Sequence, residues 1–115
     1  MTNDDRYFHL VPTERWEAQA SGPTYLPEAY DSDGFIHLTI GEQPVIEVAN
    51  RYYTQDPRAY SVLALDRDRI TAPVRFDDDS GLYPHIYGPL NVDAVVAVHP
   101  VRRQDDGTFI GIEFP

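Results

Sequence analysis

GFIHLTI, residues 34–40, is the stretch on which the fold turns. Gly34 opens it, and Ile36, Leu38 and Ile40 then alternate with Phe35, His37 and Thr39. A period of two belongs to a β-strand, whose successive side chains point to opposite faces. The pattern predicts a strand over 35–40 with one apolar face and a second face carrying His37 and Thr39. Upstream, RYFHLV (6–11) predicts another strand, with Phe8 and Leu10 on one side and Tyr7, His9 and Val11 on the other. Downstream, Pro44 suits the first turn of a helix. Val45, Val48, Ala49 and Tyr52 then recur at i, i+3, i+4 and i+7, the spacing of one helical face. SVLAL (61–65) is almost wholly apolar and predicts a buried central strand.

The remaining elements follow from local chemistry. Pro12 ends the first strand, and the Thr13 hydroxyl is placed to cap a short helix over 14–20, with Glu14 favourable at its positive pole. Ser21-Gly22-Pro23 is expected to stop that helix, glycine taking a left-handed terminal conformation. PTYLPEAYDSDG (23–34) reads as a structured loop, 66–70 as a single turn and 74–76 as a short strand. AVVAVHPV (94–101) and TFIGIEF (108–114) read as a hairpin around Asp105-Asp106-Gly107, since Asp and Gly both tolerate positive φ. Two helices and six or seven strands predict one α+β domain over 1–115, built mainly on antiparallel sheet.

Composition narrows the function. A hydrophobic fraction of 42% in 115 residues supplies one modest core and is too high for a disordered chain. Nine basic residues against nineteen acidic ones leave a net charge of −10. Such a surface repels a polyanion, so nucleic acid is disfavoured as a partner. All nine cations are arginine, which suits bidentate contact with the phosphate of a small ligand. The absence of cysteine excludes a disulfide framework, a thiolate metal site and a cysteine nucleophile. The start is polar and acidic, no run is long and apolar enough to span a bilayer, and a cytoplasmic location with no membrane partner is expected.

Three features carry candidate chemistry. His9 and His37 each sit mid-strand beside aromatic residues, where two neutral imidazoles would line a pocket and donate to ligand hydroxyls. The alternative for each is a half-buried histidine satisfied by backbone. Residues 83–89 (YPHIYGP) bracket His85 and Tyr87 between prolines and a glycine, predicting a stiff loop suited to binding, or else a crossover packed on the core. His99 stands apart and is expected to be structural. No histidine pair has metal-ligand spacing, so no metal is expected. No serine lies in a nucleophile elbow, and no glycine-rich phosphate loop is present.

GFIHLT (34–39), VANRY (48–52), VLALD (62–66) and PHIYGPL (84–90) together resemble a bacterial family, the domain of unknown function 952, over residues 7–98. The resemblance implies an ADP-ribosyltransferase-like fold, a split antiparallel sheet with short helices around a nicotinamide-dinucleotide cleft, nearest to the RNA 2′-phosphotransferase branch. It implies that His9 binds a ribose hydroxyl and that His37 lies against the nicotinamide or adenosine ribose. His85 and Tyr87 would then line the cleft beside Thr39, with Arg51 or Arg75 holding a phosphate. The chain departs from that pattern in two respects. No glutamate is clearly placed to stabilise a ribosyl oxocarbenium ion, Glu113 on the last predicted strand having no aligned counterpart. No arginine adjoins the first histidine, Arg6 being three residues away.

The expected function is a cleft for NAD or an ADP-ribose-like ligand, with glycosyl or ADP-ribosyl transfer as the reaction class if the protein is an enzyme. The alternative is a non-catalytic domain that senses a ligand or binds a protein. A third reading, His37 as the general base of a hydrolase or isomerase, lacks an identified carboxylate partner. The pocket readings require His9, His37 and the 84–89 segment to converge on one cleft.

Overall fold

Tyr60–Leu65 (β5) is buried at every residue, as a continuous apolar run between two covered faces must be. The computed structural model describes residues 6–114, so the acidic start at 1–5 lies outside the described residues. Tyr7–Pro12 (β1) runs antiparallel along one side of β5, from Tyr7 opposite Leu65 to Pro12 opposite Tyr60. Val95–Arg103 (β9) runs along the other side. Phe109–Ile112 (β10) and Thr39–Ile40 (β4) complete a five-stranded sheet in the order β10-β9-β5-β1-β4.

Alternation along β1 and β5 sends side chains to two different cores. Phe8, Val62 and Ala64 pack with Val45 and Ala49 of the helix Glu42–Tyr52 (α3). Tyr7, Val11, Leu63 and Leu65 pack on the other face with Trp16, Tyr25, Ile36 and Ile86. By the same period of two, His9 belongs to this second face. Two small sheets cover it: Thr24–Tyr25 (β2) with Leu90–Asn91 (β8), and Ile36–His37 (β3), His85–Ile86 (β7) and Val74–Arg75 (β6) in the order β3-β7-β6. With Thr13–Gln19 (α1) and Tyr30–Asp33 (α2), the described residues form a mixed α+β structure with three α-helices and a curled antiparallel sheet. No helix among the described residues is long and apolar enough to cross a membrane.

Several expectations need correction. The strand over 35–40 is two strands, because the extended segment leaves one sheet and joins another. Ile36–His37 pairs with β7, whereas Thr39–Ile40 pairs with β1. Thr39 is therefore buried opposite Phe8 and does not share an outer face with His37. The 23–34 stretch is not all loop, since it contains β2 and the one-turn α2, which makes three helices instead of two. Gly34 ends α2 in the left-handed region (φ 79°), its N–H donating to Tyr30 O at 2.8 Å. The Thr13 hydroxyl does not cap α1 but meets Ser61 Oγ at 2.7 Å, tying the helix to β5. Gly22 is not left-handed and closes the helix by donating to Gln19 O. The 84–89 segment is no free loop, for His85–Ile86 is the middle strand of the small sheet. In the β9–β10 hairpin only Gly107 takes positive φ (97°), and a Cβ there would stand 2.3 Å from Thr54 O.

Candidate functional site

The wall of the site is built by α1. Arg15 Nε and Nη2 both donate to Leu26 O, while Gln19 donates to that oxygen and accepts from Leu26 N–H. These bonds hold the segment after β2 over the His9 face of the sheet. A pocket of about 250 Å³ lies beneath, with Pro27, Val48, Tyr53 and Tyr60 among its walls and His9 and Tyr25 lining it as well.

His9 is 5% exposed, and its Nδ1 lies 2.7 Å from His37 O. A carbonyl oxygen only accepts, so Nδ1 carries the proton and Nε2 presents a bare lone pair. Burial lowers the His9 pKa to about 4, against the opposing pull of the His37 carbonyl. The imidazole is therefore neutral at pH 7. Nε2 is buried without a hydrogen-bond partner, and so is the Tyr25 hydroxyl. Burial pushes the Tyr25 phenol well above its ordinary pKa, so Tyr25 stays protonated; Arg15 acts the other way by its charge and as a nearby donor, although no hydrogen bond of ordinary geometry forms between them. The two rings meet edge-on with centroids 5.6 Å apart. Leaving a buried polar atom unpaired costs roughly 1–3 kcal/mol, so two of them in one pocket call for a partner.

One end of the pocket is acidic. Asp56 and Glu28 both line it, and Arg58 joins them, with Nη2 2.8 Å from Asp56 Oδ2 and 3.0 Å from Glu28 Oε1. Tyr60 also donates to Asp56 at 2.7 Å. The Arg58 hydrogen bonds hold the Asp56 carboxyl far below the usual carboxylate range and push Arg58 higher still. These carboxylates are committed to a cation already present.

His37 stands at the rim. Its side chain is 61% exposed, and Nε2 lies 3.1 Å from Asp33 Oδ2. This is a carboxylate partner for His37 that sequence reasoning did not identify. His37, Val48 and Tyr53 are shared with a second, shallower cleft of about 440 Å³, which adds Arg51, Tyr52 and Tyr83. On its outer side His37 touches a ring cluster. Phe35 stacks on His85 at 4.0 Å and meets His37 at 4.8 Å, and the two imidazole centroids are 5.2 Å apart. Asp77 accepts from Tyr87 and bonds His85 Nδ1 at 2.9 Å, contacts that draw its pKa down. Arg75 lies over the Tyr87 ring at 5.1 Å.

Of the residues singled out from sequence, His9 and His37 line one pocket, and Arg51 lines the adjoining cleft. His85, Tyr87 and Arg75 join His37 from outside and line neither cavity, and Thr39 lies in neither. Convergence is thus complete for the two strand histidines and indirect for the 84–89 segment. Tyr25, Asp56 and Arg58 were missed, although a tyrosine beside two prolines and an Asp-x-Arg pair were legible. Part of their role arises from contacts distant in the chain, as between Arg58 and Glu28 or between Tyr25 and His9. No group of three or more potential ligands able to hold a metal occurs among the described residues.

Solved structures share this architecture. The crystal structure of protein CC0527 from Caulobacter crescentus matches over 91% of this chain and 93% of that one, with 21% identity and a TM-score of 0.77. A double mutant of that protein gives 0.76, and its solution NMR structure gives 0.69 at 24% identity over 89% of each chain. At such identities the likeness is one of fold. No curated protein matches the chain. A family model described as "Protein of unknown function (DUF952)" matches residues 10–98. With most of its length inside that match, this chain belongs to the DUF952 family.

Proposed function

We propose that the inner pocket binds the sugar of an NAD- or ADP-ribose-like nucleotide. The observation that carries this reading is the pair of polar atoms unpartnered among the described residues, His9 Nε2 and the Tyr25 hydroxyl, buried on two residues that line one pocket. A ribose diol both donates and accepts, and it would satisfy a bare imidazole nitrogen and a phenol together. The resemblance to ADP-ribosyltransferase-like proteins supports the same role for His9. At about 250 Å³ the pocket is smaller than the ~300–1,000 Å³ usual for whole ligands and would take one end of a dinucleotide.

Ligand sensing without turnover is favoured over ADP-ribosyl or glycosyl transfer. Asp56 and Glu28 are bound by Arg58, Asp33 is paired with His37, and the exposed Glu113 lies beyond β10, outside both cavities. None is an uncommitted carboxylate for an oxocarbenium ion.

Titration of labelled protein with NAD, ADP-ribose and AMP tests this, with amide and ring resonances followed by NMR. Saturable shifts are expected at His9, Tyr25 and His37. Tyr25→Phe should weaken binding about tenfold while leaving the fold as stable or up to ~1 kcal/mol more so, because it deletes an unsatisfied buried hydroxyl. No shift at millimolar ligand would overturn the reading.

A further inference from the structure

Resting on the pocket reading above, we infer that the ligand enters sugar first and that its phosphate lies on Arg51 in the adjoining cleft. The ligand class is then a phosphorylated nucleoside, as distinct from a free nucleoside or sugar. Charge decides the orientation. The inner pocket is lined by Glu28, Asp33 and Asp56, with Arg58 the one arginine among its described lining residues; Glu28 and Asp56 already engage Arg58, and Asp33 bonds His37. A phosphate placed there would meet uncompensated negative charge in a partly desolvated site. Neutral hydroxyls would not. The anionic part of the ligand must therefore leave the pocket, and the second cleft adjoins it, with His37, Val48 and Tyr53 lining both.

Arg51 is equipped to receive it. Other arginines near the site are occupied: Arg15 by Leu26 O, Arg58 by carboxylates, Arg75 by the Tyr87 ring. Arg51 is exposed and has no hydrogen bond, ion pair or ring contact among the described residues. Glu47, one turn back on α3, offers the i, i+4 spacing of a helix ion pair, yet none forms. In a chain of net charge −10, a cation without a carboxylate at the mouth of a cleft is conspicuous. Its place in the last turn of α3 complements the helix dipole, a role that does not require the tyrosines around it. Tyr52, 66% exposed, Tyr53 and Tyr83 give that cleft the aromatic surface on which a flat ring stacks.

The experiment is calorimetric titration of the full chain with adenosine, AMP and ADP-ribose, for the native protein, Arg51→Gln and Arg75→Gln. The native protein should bind AMP and ADP-ribose about tenfold more tightly than adenosine at low salt, an advantage that shrinks as salt is raised. Arg51→Gln should remove that advantage and leave adenosine within twofold. Arg75→Gln should change neither. Equal binding of adenosine and AMP by the native protein, or an Arg51→Gln loss equal for both, overturns the assignment while the pocket reading stands. Failure of all three ligands to bind overturns both together.

Discussion

The five-stranded sheet and the three-stranded sheet of this molecule are held by different means. In the larger one, β1 pairs with β5 through six residues, β5 is buried on both faces, and each of those faces has its own hydrophobic cluster. In the smaller one every strand is two residues long, and the pairs His37 with His85 and Arg75 with His85 bring polar side chains together at the surface. Three strands so short make few ladder bonds and rely on side-chain contacts for independent order. Those contacts are the packing of Ile36 and Ile86 into the core, the Phe35–His85 stack and the Asp77 hydrogen bonds. The difference teaches that the stable layer presents the site while the weaker layer supplies its rim. His9 projects from the first, and His37 belongs to the second, joined by one hydrogen bond.

The largest expected effect tests the core. Leu63→Ala, in the middle of β5, should cost about 2–5 kcal/mol in denaturant unfolding, since the two covered faces leave little room to collapse around the void. A loss below ~1 kcal/mol would mean that the larger sheet is not the rigid layer. Next comes acid. The unfolded chain takes up the His9 proton near the ordinary pKa of 6.5, whereas the folded one resists it until about 4. The contribution of neutral His9 is therefore full above pH 6.5 and is lost as pH falls toward 4, on the order of 3 kcal/mol. Urea unfolding at pH 7.5, 5.5 and 4.5 measures it, and His9→Gln should flatten the dependence. An unchanged slope in that variant would place the acid sensitivity elsewhere. Smallest is Phe35→Ala, which removes the stack on His85. It should lower global stability by about 1 kcal/mol and speed amide exchange in the small sheet without altering exchange in β5. Equal acceleration in both sheets would show that they open as one unit.

Legibility followed the same division. The β5 run, the alternation of β1 and the helical spacing of α3 were readable because burial on both faces, or on one stripe, imposes a period on the residues themselves. The 35–40 segment was read as one strand because its alternation is continuous, but hydrogen-bond partners decide sheet membership, and they change between His37 and Thr39. Residues 23–34 gave no periodic signal, since α2 is a single turn closed by Gly34 and the Leu26 segment before it is held by side chains of α1. His9 and His37 stood out as polar residues in apolar strands, whereas Tyr25 did not, and the local Asp56–Arg58 pair gave no sign that Glu28 and the pocket join it.

By itself the sequence determined an acidic, cysteine-free α+β chain with a buried central strand, a helix on one side and two strand histidines worth attention. Those properties are local or compositional, written in side-chain type and spacing. Only the tertiary structure decided that His37 has Asp33 for a partner and that, among the described residues, His9 Nε2, the Tyr25 hydroxyl and Arg51 have none. The physical reason is that hydrogen-bond satisfaction, burial and charge pairing are set by what the fold brings within about 3 Å, and sequence neighbours do not specify it.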